Sequence, residues 1–290
     1  MGTPENNETK EKVFFLMGDN DMKTKFINIM LLLALLTPAV VQASLVFTED
    51  GEITSGTYHD ATIMNTATVA MSGGSVDEVT IQNLGKLNFS NGTINNQIQI
   101  WDSGTLNLEG ASFGGELYLN NSGVFNLNSG SIDGSLYGYD YSYLRFDGGQ
   151  APGVDLDMSS YSICDIYNGN LTMDSLNLLQ YSEFNVYGGD LFFNTYVWLE
   201  DQAEINIRGG NILFGEGFSL NDEAKINVYY SSAIYDKPGG IIVGYHLYED
   251  NSEFMLDQFT YSEIDQINFV PEPATMLLFG LGGLFLRRRS

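Results

Sequence analysis

Cysteine is nearly absent: Cys164 is the single thiol in 290 residues. No intramolecular disulfide can form, and zinc sites built from several thiolates are excluded. Stability must come from packing and hydrogen bonds. Histidine is almost as scarce, with only His59 and His246. Bases are few as well, 12 against 37 acids, for a formal net charge of −25. Seven of the bases lie in the end segments, at Lys10, Lys12, Lys23, Lys25, Arg287, Arg288 and Arg289. From Ser44 to Val270 only Lys86, Arg145, Arg208, Lys225 and Lys237 face 31 acids, so the body carries about −26. Such a surface repels nucleic acid, anionic lipid headgroups and polyuronates, and no nucleic-acid partner is expected. The chain is nevertheless 43% hydrophobic and 13% aromatic. That content sets it apart from disordered acidic chains and argues for a packed core.

Both ends read as addresses. Lys23 and Lys25 precede the run "FINIMLLLALLTPAVVQA", which closes with Val41-Gln42-Ala43. A positive stretch, an apolar core and small residues at −3 and −1 make a secretory signal over 22–43, cleaved after Ala43. Residues 1–21 then read as an extension ahead of a true start at Met22. At the other end stand Pro271-Glu272-Pro273, an apolar run from Ala274 to Leu286, and Arg287-Arg288-Arg289. This three-part order over 271–290 resembles the PEP-CTERM sorting signal. The resemblance implies processing by an exosortase, a membrane-embedded cysteine-protease-like enzyme of Gram-negative bacteria that make extracellular polysaccharide. It also implies export to the cell surface or extracellular matrix. The tail's physics agrees. Thirteen apolar residues reach roughly 20 Å as a helix, against a hydrocarbon layer of about 30 Å. The arginines hold the segment's end on the cytoplasmic side. The protein is expected to meet the membrane only there, before processing.

The body repeats. "TVAMSGGSV", "KLNFSNGTI", "TLNLEGASF", "VFNLNSGSI", "YLRFDGGQA", "ICDIYNGNL", "EFNVYGGDL", "EINIRGGNI" and "KINVYYSSA" align on Val69, Leu87, Leu106, Phe125, Leu144, Cys164, Phe184, Ile205 and Ile226. Successive spacings run 18, 19, 19, 19, 20, 20, 21 and 21. Each unit alternates apolar, polar, apolar, which is a strand with one buried face. Glycine follows five residues on at Gly74, Gly92, Gly130, Gly149, Gly169, Gly189 and Gly210, marking a corner that needs positive φ. One coil cannot bury its own apolar face, but stacked coils can. The expected fold is all-β: a single-stranded parallel β-helix, or β-solenoid, of about nine coils of 18–21 residues over 69–232. Short caps are expected at 44–68 and 233–270. The pattern resembles the β-helix passenger domains of autotransporter-type secreted bacterial proteins. An antiparallel sandwich is the alternative. Against it, the two Asn-Gly dipeptides, Asn91-Gly92 and Asn168-Gly169, both sit at the repeated corner and not in a hairpin.

Nothing in the chain reads as an active site. Cys164 holds the same repeat position as Leu144 and Phe184, so it is expected in the core. The middle residue of each unit recurs as Asn88, Asn107, Asn126, Arg145, Asp165, Asn185, Asn206 and Asn227, pointing outward. Stacked amides can bond along the axis. The glycine-aspartate nonapeptide of calcium-binding solenoids is missing, so no metal or cofactor is expected. Outward positions of the second strand are expected at Gln99, Tyr118, Tyr137, Asp155, Asn177, Trp198 and Ser219. Of these, Tyr118, Tyr137 and Trp198 offer rings to sugars. Tyr141, Tyr161 and Tyr181 also recur in three successive coils. The expected role is a non-enzymatic structural or adhesive element in exopolysaccharide or biofilm. A glycan-binding module is the first alternative and a polysaccharide-degrading enzyme the second. Degradation would need two carboxylates at a set separation, and none of the many acids (Asp155, Asp157 and Asp174 among them) stands out as a pair.

Overall fold

A strand such as Phe184-Asn185-Val186 has one apolar face, and a coil of some twenty residues is too small to close that face on itself. The computed structural model, which describes residues 43–215, 217–235, 240–256 and 265–272, resolves this by stacking the coils in parallel register. The described residues form 22 strands in one hydrogen-bonded sheet and no α-helix. Leu106 pairs with Phe125, Phe125 with Leu144, Leu144 with Cys164, Cys164 with Phe184, and Phe184 with Ile205. All six are at most 1% exposed. The expected inward column is therefore present, and Cys164 lies within it. Further along the coil, more apolar residues (for example Leu171 with Met173, and Leu176 with Leu178) complete the core.

Two corners turn each coil. One is the glycine corner, and all seven expected glycines have positive φ. At Gly130 a Cβ would stand 2.1 Å from the carbonyl oxygen of Ala111 in the coil before, so glycine is required twice, by conformation and by space. The other corner is one that glycine does not mark. It carries a column of left-handed residues: Asn65, Asn83, Asp102, Asn121, Asp140, Ser160, Gln180, Asp201 and Asp222, with φ between 56° and 64°. Asn and Asp tolerate this region best among residues with a Cβ. Each turn closes on itself, as in Gly104 N–H to Trp101 O at 3.0 Å. Each also bonds the turn before it, as in Ser122 N–H to Asp102 O at 2.7 Å.

The stack runs past both ends of the clear repeat. Gly51–Ile53 pairs in parallel with Val69–Met71. At the far end, strand Lys225–Tyr235 pairs antiparallel with Ile242–Leu247, which pairs antiparallel with Glu253–Met255. These are the antiparallel pairings among the described residues. The chain then returns to the stack. Ile267–Pro271 lies parallel on Ile226–Tyr230, with Ile267 beside Ile226 and Asn268 beside Asn227. Asp250 ties the hairpin to the glycine corner, accepting from Gly210 N–H at 2.7 Å.

Candidate functional site

The middle residues form the expected ladder. Asn107 donates to Asn88 at 2.7 Å and Asn126 to Asn107 at 2.8 Å. After Arg145 the ladder resumes: Asn185 to Asp165, Asn206 to Asn185 and Asn227 to Asn206, each at 2.9 Å, and Asn268 to Asn227 at 3.1 Å. Asp165, Asn185, Asn206 and Asn227 do point away from the core, yet each is 7–9% exposed. The reason is the residue two places further along each coil. Early coils carry Ser90, Glu109 and Asn128 there, and late coils carry Tyr167, Tyr187, Arg208 and Tyr229. Tyr167 stacks on Tyr187 at 4.7 Å, and its hydroxyl reaches Asp165. Tyr143 donates to the same carboxylate at 2.7 Å. Burial and that bond push the Tyr143 phenol well above its ordinary pKa.

Several acids are engaged between coils. Asp77 accepts from Asn95 at 2.7 Å, Asp155 from Ser175 at 2.6 Å and Asp174 from Asn194 at 3.1 Å. Asp157 accepts from Asn177. The recurring arrangement is an acid in one coil accepting from an amide or hydroxyl in the next. The two coil arginines are engaged as well. Arg145 pairs with Asp147 at 2.8 Å and lies over the Tyr167 ring at 4.7 Å, and Arg208 lies over Tyr229 at 4.0 Å. Burial, with Asp165 adding to it, raises the Cys164 thiol well above its ordinary pKa, so it is not a poised nucleophile. His59 is hydrogen-bonded to Asp60 at 2.6 Å on the surface, and His246 lies on the strand Ile242–Leu247.

The aromatic positions sort differently from the expected platform. One outward column runs Gln99, Tyr118, Tyr137, Asp157, Asn177, Trp198, Ser219. Asp155, expected in this column, lies one outward position earlier, between Ser135 and Ser175. Relative to the coil before it, this coil takes an extra residue between Gln150 and Asp155. Tyr118 and Tyr137 are brought together, stacked at 4.7 Å and 9°. A 2.7 Å bond to Glu116 pushes the Tyr118 phenol up to about 12. Trp198 is not with them. It lies three rungs from Tyr137, across Asp157 and Asn177. Tyr139, a residue not singled out from the sequence, lies nearly parallel to Tyr137 with centroids 6.4 Å apart. An open groove of about 440 Å³ runs from Tyr139 to Trp198 over Asp157, Ser159, Asn177 and Leu179. Around the corner Tyr141, Tyr161 and Tyr181 stack at 5.2 and 5.0 Å, all three exposed. Tyr161 thus has both faces covered.

Of the sorting residues, Pro271 and Glu272 are described. Pro271 sits opposite Tyr230, and Glu272 N–H donates to Tyr230 O at 2.9 Å. Pro273, the run Ala274–Leu286 and Arg287, Arg288 and Arg289 lie outside the described residues. So does the signal over 22–43, except Ala43, which opens the first strand. No helix among the described residues is long and apolar enough to cross a membrane.

Residues 269–290 match the PEP-CTERM protein-sorting motif. The motif implies an exosortase as processing partner, export, and a surface or extracellular destination. No curated protein and no solved structure matches the chain. The likeness to autotransporter passengers therefore rests on the repeat pattern alone.

Proposed function

We propose that the protein is a non-catalytic structural and adhesive rod in the exopolysaccharide or biofilm matrix of a Gram-negative-type bacterium. The observation that carries this reading is the continuity of the sorting motif with the stack. Pro271 and Glu272 are paired to Tyr230 on the last rung, so the first residues of the motif belong to the stack itself. A stack braced by backbone, amide and acid ladders suits a spacer. The engagement of acids, arginines and Cys164 within the fold supports a role without catalysis. The aromatic column with Tyr118, Tyr137 and Trp198 favours glycan contact as the adhesive element.

The test is fractionation of the matrix from an exosortase-bearing host. The processed protein should co-fractionate with polysaccharide and should turn over none of a panel of polysaccharides. Recovery only in the polysaccharide-free medium would reject the matrix role, and turnover of any panel member would reject the non-catalytic one.

A further inference from the structure

We propose that the groove between Tyr139 and Trp198 is a binding site for an uncharged saccharide chain. The proposal rests on the adhesive reading above and gives it a place and a ligand class. In a parallel stack, rings on one column face along the axis, so neighbouring tyrosines cover one another. The near-parallel Tyr118–Tyr137 pair and the Tyr141–Tyr161–Tyr181 run show this directly. A ring covered on both sides presents only its edge, and a sugar needs a face. Ring faces become free only where a column is interrupted.

The column Tyr118, Tyr137, Asp157, Asn177, Trp198 is interrupted for two rungs. With strands about 4.8 Å apart, the coil that carries Tyr137 and Tyr139 lies roughly 14 Å along the axis from the coil that carries Trp198. Allowing a carbon contact of about 3.7 Å at each wall leaves roughly 7 Å for ligand atoms, the room one saccharide chain needs. Tyr139 and Trp198 form the walls. The floor is Asp157, Ser159 and Asn177, with Leu179 beside them.

The polar groups decide the ligand class. Asp157 uses one carboxylate oxygen on Asn177 and Glu200 uses one on Trp198 Nε1–H at 3.3 Å, so each keeps a second oxygen. Among the described residues, no cation lines the groove. Two carboxylate acceptors between aromatic walls fit a ligand rich in hydroxyl donors. They repel uronates and phosphates, as does the body's charge of about −26. The larger depression at the corner, about 690 Å³ beside Tyr161 and Tyr181, fits less well. Its aromatic side is one wall, and Asp201, Asp222 and Glu223 are among the residues on the rest.

The interrupted column also supplies the test. Asp157→Tyr and Asn177→Tyr each fill the gap with the residue the same column holds at 118 and 137, so the stack is kept and the groove is lost. Processed protein from an exosortase-bearing host would be run through native gels containing hydroxyethyl cellulose, galactomannan or alginate. Wild type should be retarded by at least one neutral polymer and not by alginate. Either tyrosine variant, and Trp198→Ala, should weaken that retardation at least tenfold with an unchanged melting temperature. Equal retardation of wild type and the filled variants overturns the proposal, as does retardation by neither neutral polymer or by alginate alone. Matrix co-fractionation of the filled variants would then show that the adhesive reading stands without this groove.

Discussion

Asn206→Leu removes the middle of the buried ladder and should be among the costlier polar substitutions in the protein. Asn206 is 7% exposed, donates to Asn185 at 2.9 Å and accepts from Asn227 at 2.9 Å. Leucine has a similar volume, so the main cost is two hydrogen bonds and what their loss leaves behind. Asn185, 8% exposed, loses the donor to its carbonyl oxygen, and an orphaned buried acceptor costs about 1–3 kcal/mol. Asn227 keeps a second acceptor, Glu204 at 3.2 Å, so its share is smaller. The total is about 2–4 kcal/mol. Asn107→Leu cuts the same ladder where it is half-buried, and water replaces the lost partners there. That change should cost about 1 kcal/mol or less. Asn185→Leu combined with Asn206→Leu should cost less than the sum of the two, because the orphaned oxygen is itself removed. Hydrogen exchange is the suitable assay, because a stack of coils can open locally rather than all at once. Peptides spanning 183–207 should lose protection in Asn206→Leu, while those spanning 86–108 should barely change in Asn107→Leu. Equal losses at the two sites, or an additive double variant, would refute the reasoning.

Gly130→Ala places a Cβ 2.1 Å from Ala111 O at φ 95°, and should lower the melting temperature by several degrees, whereas no change would mean the corner can yield. Ser162→Ala should leave the melting temperature unchanged or raise it, because the hydroxyl is buried with no hydrogen-bond partner among the described residues. The carboxyl of Asp250 is held below its ordinary 3.8; burial opposes this, but bonds from Ser252 and Gly210 outweigh it. Its tether on the hairpin is therefore fully present above about pH 4 and lost as pH falls through the lowered value. Hairpin peptides spanning 240–256 should gain exchange in acid more in wild type than in Asp250→Asn.

The apolar pairs announced the core because a strand buried on one face repeats every second residue, and coil length then sets the register. The glycine corner was legible for a similar reason: a positive φ with a carbonyl 2–3 Å from the Cβ position admits little else. The Asn/Asp corner was equally periodic but spread over four residue types, with Ser160 and Gln180 in late coils, so no single letter marked it. The last rung was hidden by distance. "QINF" repeats the motif of "KINV", but Ile267 follows Ile226 by 41 residues because the antiparallel hairpin intervenes. Ladder burial depended on the exchange of Ser90, Glu109 and Asn128 for Tyr167, Tyr187 and Tyr229, a change visible only once coils are aligned. The groove needed the register itself. Twelve residues separate Leu106 from Tyr118 and Phe125 from Tyr137, but thirteen separate Leu144 from Asp157, because this coil takes one extra residue between Gln150 and Asp155.

The central claim is a β-solenoid delivered to the surface by its tail. The most direct test is mass spectrometry of the mature protein's C-terminus from hosts with and without an exosortase. The account predicts that Arg287-Arg288-Arg289 are lost only where the exosortase is present. The same C-terminus in both hosts, arginines included, would contradict it.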